Sequence, residues 1–151
     1  MANELLGTDL RLLRNLERQN DRDLGRDLVT APRSVTGDVD LASLKGVENL
    51  QQALLLRFLT PVGEMAILGH PSYGSRLHEL IGELNNQTNR NRAKMFALQA
   101  LAQEPRVEEV LRVNVTTARS NPNQINIDVS LKVLREGTTL NMVFPFFLDG
   151  A

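Results

Sequence analysis

The chain has 151 residues, and 17 Lys and Arg against 18 Asp and Glu leave a formal net charge of −1. A near-neutral chain has no overall field to hold a polyanion, so nucleic acid is not an expected partner. The absence of cysteine excludes disulfides, thiolate metal sites and a cysteine nucleophile. The sequence shows no signal peptide and no long apolar run, which predicts a soluble intracellular chain without membrane insertion.

Residues 1–36 are interpreted as a charged N-terminal arm, and residues 37–151 as the main domain. The arm carries arginines three or four positions apart, at Arg11, Arg14, Arg18, Arg22 and Arg26. Gly25 argues against one long helix there. The arm is therefore either a solvated, charge-balanced segment or one that orders on a partner. Pro32, Ser34 and Gly37 predict a linker or turn before the main domain.

Apolar residues at helical spacing predict a buried first helix over Val47–Leu59, which Pro61 ends. A second helix is expected after Ser75, which suits the N-cap position. Its apolar residues would be Leu77, Leu80, Ile81 and Leu84.

Two further helices are expected before the strands begin. The third runs over about 88–103, with Ala93, Phe96 and Ala97 on its apolar face. Pro105 suits the first position of a short fourth helix, since a helix needs no N–H donor there. That helix would carry Val107, Val110 and Leu111.

From residue 113 onward the apolar period changes to two, which is typical of half-buried strands. The clearest alternation is formed by Ile125, Ile127, Val129, Leu131 and Val133. Turns are expected at 121–123 and at Gly137, and the last strand covers 140–146. The predicted fold is therefore α+β: a small C-terminal antiparallel β-meander packed against three or four helices.

Two histidines are present, His70 and His78, and they do not form a zinc signature, because the position four residues after His78 is Gly82. There is no glycine-rich phosphate loop and no nucleophile-elbow pattern. The sequence therefore predicts neither a metal site nor a cofactor.

A glycosidase needs two carboxylates across a sugar-binding cleft. The pairs Glu79 with Glu83 and Glu108 with Glu109 are the candidates, and both are typical of a solvated helix surface. One tyrosine and no tryptophan also provide little aromatic lining for a sugar. The expectation is that the chain is not an enzyme, with a cell-wall glycan hydrolase as the alternative.

Arg76 is expected in the first turn of its helix, where the macrodipole disfavours a cation. It has two possible partners: Glu79, three residues on, or a carboxylate of a partner chain.

Four runs of sequence carry a resemblance to a known family. They are residues 46–54, 57–64, 68–77 and 104–107, which read GVENLQQAL, RFLTPVGE, LGHPSYGSRL and EPRV. In this order they resemble the baseplate wedge, or sheath-initiator, family of contractile injection systems, which includes wedge proteins of contractile-tailed phages. The resemblance covers about residues 37–148 and looks closer to phage-like particles than to type VI secretion.

The resemblance implies a structural role in a baseplate that assembles in the cytoplasm. Members of the family have a small α+β domain similar to the interlocking domain of the tail sheath. The implied partners are wedge proteins, through their helical core bundle, and the tail sheath protein, with several copies per sixfold baseplate. Some members bear a tail-lysozyme label, but nothing in this sequence supports carrying over that activity.

The candidate partner-binding residues follow from the resemblance and from the strand pattern. The family's Glu-Pro-Arg motif, implicated in docking on the wedge, falls on Glu104, Pro105 and Arg106. The further candidates are Tyr73, Arg76, Ile125, Ile127, Val129, Leu131 and Val133. Arg106 is expected either to contact a wedge carboxylate or to serve as an internal brace.

The strand around residues 125–133 is the first candidate for templating the sheath, and the strand over 140–146 is the second. The alternation of apolar and polar residues in both strands also fits an ordinary antiparallel sheet that pairs only within the monomer. If the N–H of Asn126 or Asp128 faces a partner, proline there should stop sheath nucleation and leave the fold intact.

Overall fold

The computed structural model describes residues 5–13 and 29–149. Its strands in chain order are β1 (Thr8–Leu10), β2 (Thr30–Pro32), β3 (Val39–Leu41), β4 (Ser43–Lys45), β5 (Val107–Thr117), β6 (Gln124–Val133) and β7 (Thr139–Phe147). Its helices are α1 (Val47–Leu59) and α2 (Gln87–Ala102), with 3₁₀ helices at Ala66–Leu68 and Leu77–Leu80. The mixed α+β class predicted from the sequence is confirmed.

The C-terminal third is the predicted antiparallel meander, a three-stranded sheet in the order β5, β6, β7. Five side chains of β6 are almost wholly buried: Ile125, Ile127, Val129, Leu131 and Val133. They meet α1 and α2, which cover this one face of the sheet. The opposite face carries polar residues such as Asn114, Asp128 and Asn141. Alternation along β6 therefore separates the core from the outer face.

The hydrogen-bond phase of the sheet shows in which direction the backbone groups of each strand point. Leu148 N–H donates to the Asn123 carbonyl over 2.8 Å, and Ala118 N–H donates to the Gln124 carbonyl over 2.9 Å. Because donors alternate along an antiparallel strand, odd-numbered residues of β6 bond to β7 and even-numbered ones bond to β5. On β7 the even-numbered residues bond to β6, so the N–H groups of Asn141 and Val143 point away from the sheet.

This hydrogen-bond phase argues against the strand around residues 125–133, now β6, as the strand that templates the sheath. β6 is the central strand, and the N–H groups of Asn126 and Asp128 face β5 within the monomer. Proline at either position would break the internal ladder. The edges of this sheet are β5 and β7, and the Pro145 nitrogen, which lacks a proton, falls on the outward side of β7.

The first predicted helix has the expected bounds, and the third differs from its prediction by one residue at each end. The helix expected after Ser75 was wrong, since the chain there forms a single 3₁₀ turn over Leu77–Leu80. Ile81 is extended and Gly82 has a φ of +88°, so the helix cannot continue. The Ser75 hydroxyl donates to the Phe58 carbonyl over 2.8 Å and accepts from Leu77 N–H over 3.4 Å.

The short helix expected from Pro105 was also wrong, because β5 begins at Val107. Pro105 lies in a turn closed by Val107 N–H donating to the Glu104 carbonyl over 3.1 Å. Register shifts between Val107 and Glu109, and between Val110 and Arg112, break the alternation of the strand. Because of these irregularities, Val107 and Val110 both pack against the core although they are three residues apart, and this spacing resembles that of a helix.

Two short strand pairs join the N-terminal segment to the main domain. β1 pairs with β4, and β2 pairs with β3, each in its own antiparallel two-stranded sheet. The junction lies at Ala42, whose carbonyl accepts from Arg11 N–H while its own N–H donates to the Val29 carbonyl, each over 2.8 Å. Residues 8–11 and then residues 29–32 therefore pair with successive parts of the extended segment over residues 39–45.

The turn predicted from Pro32, Ser34 and Gly37 lies in the β2–β3 hairpin, whereas Arg14, Arg18, Arg22 and Arg26 lie outside the described residues.

Two amide side chains of α1 hold residues 5–13 against the helix. Asn49 donates to the Leu6 carbonyl over 2.8 Å, and Leu6 is 1% exposed within the core. The Gln52 amide donates to the Leu10 carbonyl over 2.9 Å, and its oxygen accepts from the N–H groups of Leu12 and Leu13. The first part of the predicted arm therefore contributes to the core, and the domain boundary at residue 36 stays a prediction.

We expect Ile127→Ala to lower the free energy of unfolding by about 2–5 kcal/mol, because it leaves a cavity under the sheet. Ile127→Asp should prevent folding, since it buries an unpaired charge. Asp128→Asn, one residue away on the outer face, serves as the control and should stay within about 0.5 kcal/mol. Urea denaturation followed by circular dichroism measures all three, and equal effects at 127 and 128 would contradict the assigned register.

Gln52→Leu should release residues 10–13 from α1, because it removes three hydrogen bonds and leaves their backbone groups unsatisfied. We expect faster amide hydrogen exchange at Leu12 and Leu13, and a loss of about 1–3 kcal/mol in the free energy of unfolding. Gln99→Leu, the same change at an exposed position of α2, is the matched control. Unchanged exchange at Leu12 and Leu13 would refute the clamp.

Candidate partner-docking site

A buried carboxylate, Glu104, organises the candidate site at the turn between α2 and β5. Its side chain is 3% exposed and accepts hydrogen bonds from two arginines. Arg106 donates from Nε to Oε1 over 2.6 Å and from Nη2 to Oε2 over 3.2 Å. Arg57, from α1, donates from Nη2 to Oε2 over 3.1 Å. The two arginines and one carboxylate define what we call the Glu104 cluster.

The electrostatics of the cluster keep Glu104 ionised. Burial by itself raises the pKa of this carboxyl, but the hydrogen bonds and charge of Arg106, with the hydrogen bond from Arg57, outweigh burial. The pKa of Glu104 is therefore lower than its ordinary value. A glutamate that is ionised at neutral pH is suited to holding the two arginines in place and unsuited to acting as a general acid at that pH.

Arg106 serves as an internal brace in this structure. Besides its bonds to Glu104, its Nη1 donates to the Leu6 carbonyl over 3.4 Å, which ties the turn to the N-terminal segment. The side chain is 26% exposed, so part of the guanidinium remains at the surface. Pro105, between the two charged residues, is exposed in the turn. Contact of this surface with a wedge carboxylate stays a prediction.

Tyr73 lies beside the cluster, with its ring centroid 4.5 Å from the central guanidinium carbon of Arg57. Residues 60–75 form a closed loop that positions this ring. Ser75 N–H donates to the Thr60 carbonyl over 2.9 Å, and Val62 N–H donates to the Ser75 carbonyl over 3.0 Å. Gly74 permits the closure, because a Cβ there would lie 2.4 Å from the Thr60 carbonyl oxygen.

Arg76 has the local partner, Glu79, that the spacing allowed. Its guanidinium donates from Nε and Nη2 to the two carboxylate oxygens over 2.8 and 3.0 Å. The hydrogen bond to Glu79 and its negative charge raise the pKa of Arg76, and the hydrogen bond from Arg76 lowers the pKa of Glu79. The guanidinium also lies 4.7 Å from the Phe96 ring centroid. Arg76 thus remains at the surface with its charge already paired.

The five apolar candidates on β6 lie in the core and away from the Glu104 cluster's surface. Ile125, Ile127, Val129, Leu131 and Val133 are each at most 1% exposed. In the folded monomer these side chains set the register of the sheet and do not themselves reach a partner. The structure thus brings Tyr73, Glu104, Pro105 and Arg106 into one region and leaves the β6 residues apart.

Sequence reasoning missed Arg57, Asn49 and Gln52 as contacting residues. Each is a polar side chain that is buried on α1, within a helix predicted to be buried on most sides. A charged or amide side chain among apolar helix positions is a signal that a partner group lies opposite. The sequence gives no indication of which group that is.

The carboxylates proposed for glycan hydrolysis do not have the expected environment. A general acid needs a raised pKa, whereas that of Glu79 is lowered by Arg76. Glu108 is exposed and contacts Lys132 Nζ at 3.5 Å. Within residues 5–13 and 29–149, no group of three metal-ligating side chains comes together, and no helix is long and apolar enough to cross a membrane.

Comparison with known proteins adds a structural likeness. No family model matches the sequence, and no curated protein matches it. A crystal structure of a Geobacter sulfurreducens protein with the provisional name tail lysozyme matches with a TM-score of 0.59 and 25% sequence identity. The match covers 68% of this chain and 90% of that chain. The likeness supports a protein related to phage tails and is compatible with both a structural and a lytic role.

We expect the stability contributed by Glu104 to depend on pH. Because its folded pKa lies below the ordinary value of about 4.3, the stabilisation is present at neutral pH and is lost as pH falls through the folded value. Glu104→Gln should therefore cost about 3–5 kcal/mol at pH 7, since it leaves two arginines without their carboxylate. The deficit should shrink below about pH 4.

Urea denaturation of the wild type and Glu104→Gln from pH 7 to pH 3 measures this difference. Glu108→Gln, which removes an exposed carboxylate, is the control and should differ little from the wild type at any pH. A deficit for Glu104→Gln that is constant over the whole range would contradict the ionised, buried carboxylate.

Proposed function

We propose that this chain is a structural subunit in the baseplate of a phage-like contractile injection system. It docks on the helical core bundle of the baseplate wedge and templates the first ring of the tail sheath by strand pairing. The observation that carries the proposal is the shared fold with a tail-named protein over two thirds of the chain. The four motifs of the wedge family in the same chain support it.

The edge of β7 is the strand we propose as the sheath template. Its N–H groups at Asn141 and Val143 point away from β6 and are available to a strand from another chain. Val143 is 38% exposed, so the outer face at this edge offers an apolar contact as well. Pairing through the backbone would accept many partner sequences, while the buried face of the meander fixes the register.

The Glu104 cluster is the surface we propose for docking on the wedge. It lies at the turn between α2 and β5, whereas the β7 edge lies two strands away across the sheet. Two separate surfaces would let one subunit bind wedge and sheath proteins at the same time. The internal brace formed by Arg106 keeps the docking surface rigid, because it couples the turn to α1 through Glu104.

A cell-wall glycan hydrolase is the second candidate, and the name of the Geobacter sulfurreducens protein favours it. Release of soluble glycan from purified peptidoglycan by the isolated chain tests this directly, with a known lysozyme as positive control. We expect no release. Activity that Glu79→Gln or Glu83→Gln abolishes would overturn the structural proposal.

A proline pair tests the strand edge. Val143→Pro removes an outward N–H, and the neighbouring Pro145 occupies an equivalent outward position already. We expect its fold to survive and its baseplates to nucleate no sheath. Met142→Pro is the matched control, and it should unfold the monomer because its N–H bonds to β6.

The measurement is electron microscopy of particles in which each variant replaces the wild-type gene, with circular dichroism of the purified monomers. A folded Val143→Pro protein whose particles carry sheath of normal length would show that β7 is not the template. Loss of the baseplate itself in that variant would place the defect in docking instead.

A further inference from the structure

An open cavity of about 420 Å³ lies between α1, the end of α2 and the loop over residues 69–73. Arg57 and Gln103 contribute from the helices, and His70 and Tyr73 contribute from the loop. The cavity adjoins the Glu104 cluster, because Arg57 belongs to both. It is therefore a candidate for a ligand that recognises a guanidinium.

The charges around the cavity do not balance. Among residues 5–13 and 29–149, Arg57 and Arg106 share the carboxylate of Glu104 alone, which leaves one positive charge in excess there. The Arg57 side chain is 10% exposed, so water solvates this charge only in part. A second carboxylate would neutralise the site, and the cavity beside Arg57 has room for one.

The hydrogen bonds of Arg57 are also incomplete. Among the described residues its guanidinium has one acceptor, Oε2 of Glu104. Its Nε–H is buried and has no partner, which costs free energy in a folded protein. Tyr73 lies against the guanidinium and offers no in-plane acceptor. A ligand in the open cavity cannot reach this buried nitrogen, so the acceptors that it supplies must face the terminal nitrogens of the guanidinium, and a carboxylate supplies two.

We propose that this cavity binds a single Asp or Glu side chain presented by a partner protein, with Arg57 as its main contact. The positive excess selects an anion, and the planar guanidinium selects a carboxylate that can accept two parallel hydrogen bonds. Tyr73 holds the guanidinium plane from one side. That the carboxylate comes from a wedge protein rests on the proposed function. Binding of a carboxylate at this site can be tested without a wedge protein.

The first experiment uses the isolated, ¹⁵N-labelled chain and a small probe, N-acetyl-glutamate N-methylamide. The Arg57 Nε–H resonance reports a change in the environment of the guanidinium that the probe contacts. We expect it to shift in a saturable way with the glutamate probe and to stay unchanged with the neutral glutamine analogue. An equal response to both probes, or no saturable response to the glutamate probe, would overturn the proposal.

Two variants check the assignment of the contact. Arg57→Lys keeps the charge beside Glu104 but lacks the planar fork, so we expect the probe to bind at least tenfold more weakly. Shifts of the Tyr73 and Gln103 backbone amides report binding in this variant. Arg33→Lys is the control, since Arg33 pairs with Asp40 in the exposed hairpin. Unchanged affinity in Arg57→Lys would contradict the proposal, and if that variant fails to fold, the two-probe comparison decides.

The second experiment measures capture of purified wedge proteins by wild type and by Tyr73→Leu, whose probe affinity should also fall several-fold. Probe binding without wedge capture would leave the carboxylate site standing and refute the proposed docking function. Wedge capture without a probe response at Arg57 would leave the function standing and refute this site.

Discussion

The rest of the structure depends on one buried carboxylate. Glu104 links α1 through Arg57 and links the start of β5 through Arg106, which also reaches the Leu6 carbonyl 100 residues away in sequence. Desolvation offsets much of the attraction in such a cluster, so the cluster adds little stability relative to an apolar replacement of all its members, although removal of one member is costly. Its main effect is to fix position. The turn, the helix and the N-terminal segment consequently share one geometry, and any surface built on them is rigid.

This arrangement separates two kinds of surface on a small domain. The sheet buries its β6 side chains under α1 and α2, and β7 is an edge strand of this sheet among the described residues. The Glu104 cluster lies at the turn between α2 and β5, and the cavity beside Arg57 adjoins it. Strand pairing needs a free backbone, whereas carboxylate recognition needs a fixed guanidinium, and each surface provides one of the two.

Sequence periodicity predicted the elements whose signal is local. The apolar spacing of α1 and the alternation along β6 gave those elements correctly, because each buries one face over many residues. The helix after Ser75 failed, since Gly82 and the extended Ile81 end it after one turn. The start of β5 was missed because bulges disguise its period. The burial of Glu104 and the pairing of Ala42 with both Arg11 and Val29 depend on contacts between residues distant in sequence, and no local sequence pattern predicts such contacts.

A cryo-electron microscopy reconstruction of the parent particle tests the central claim most directly. We expect this chain in the baseplate collar, with a sheath strand paired along the outer edge of β7 and a wedge protein covering the Glu104 cluster. Resolution sufficient to trace strands would show both contacts in one map. Placement of the chain outside the baseplate, or a β7 edge left unpaired beside assembled sheath, would contradict the account.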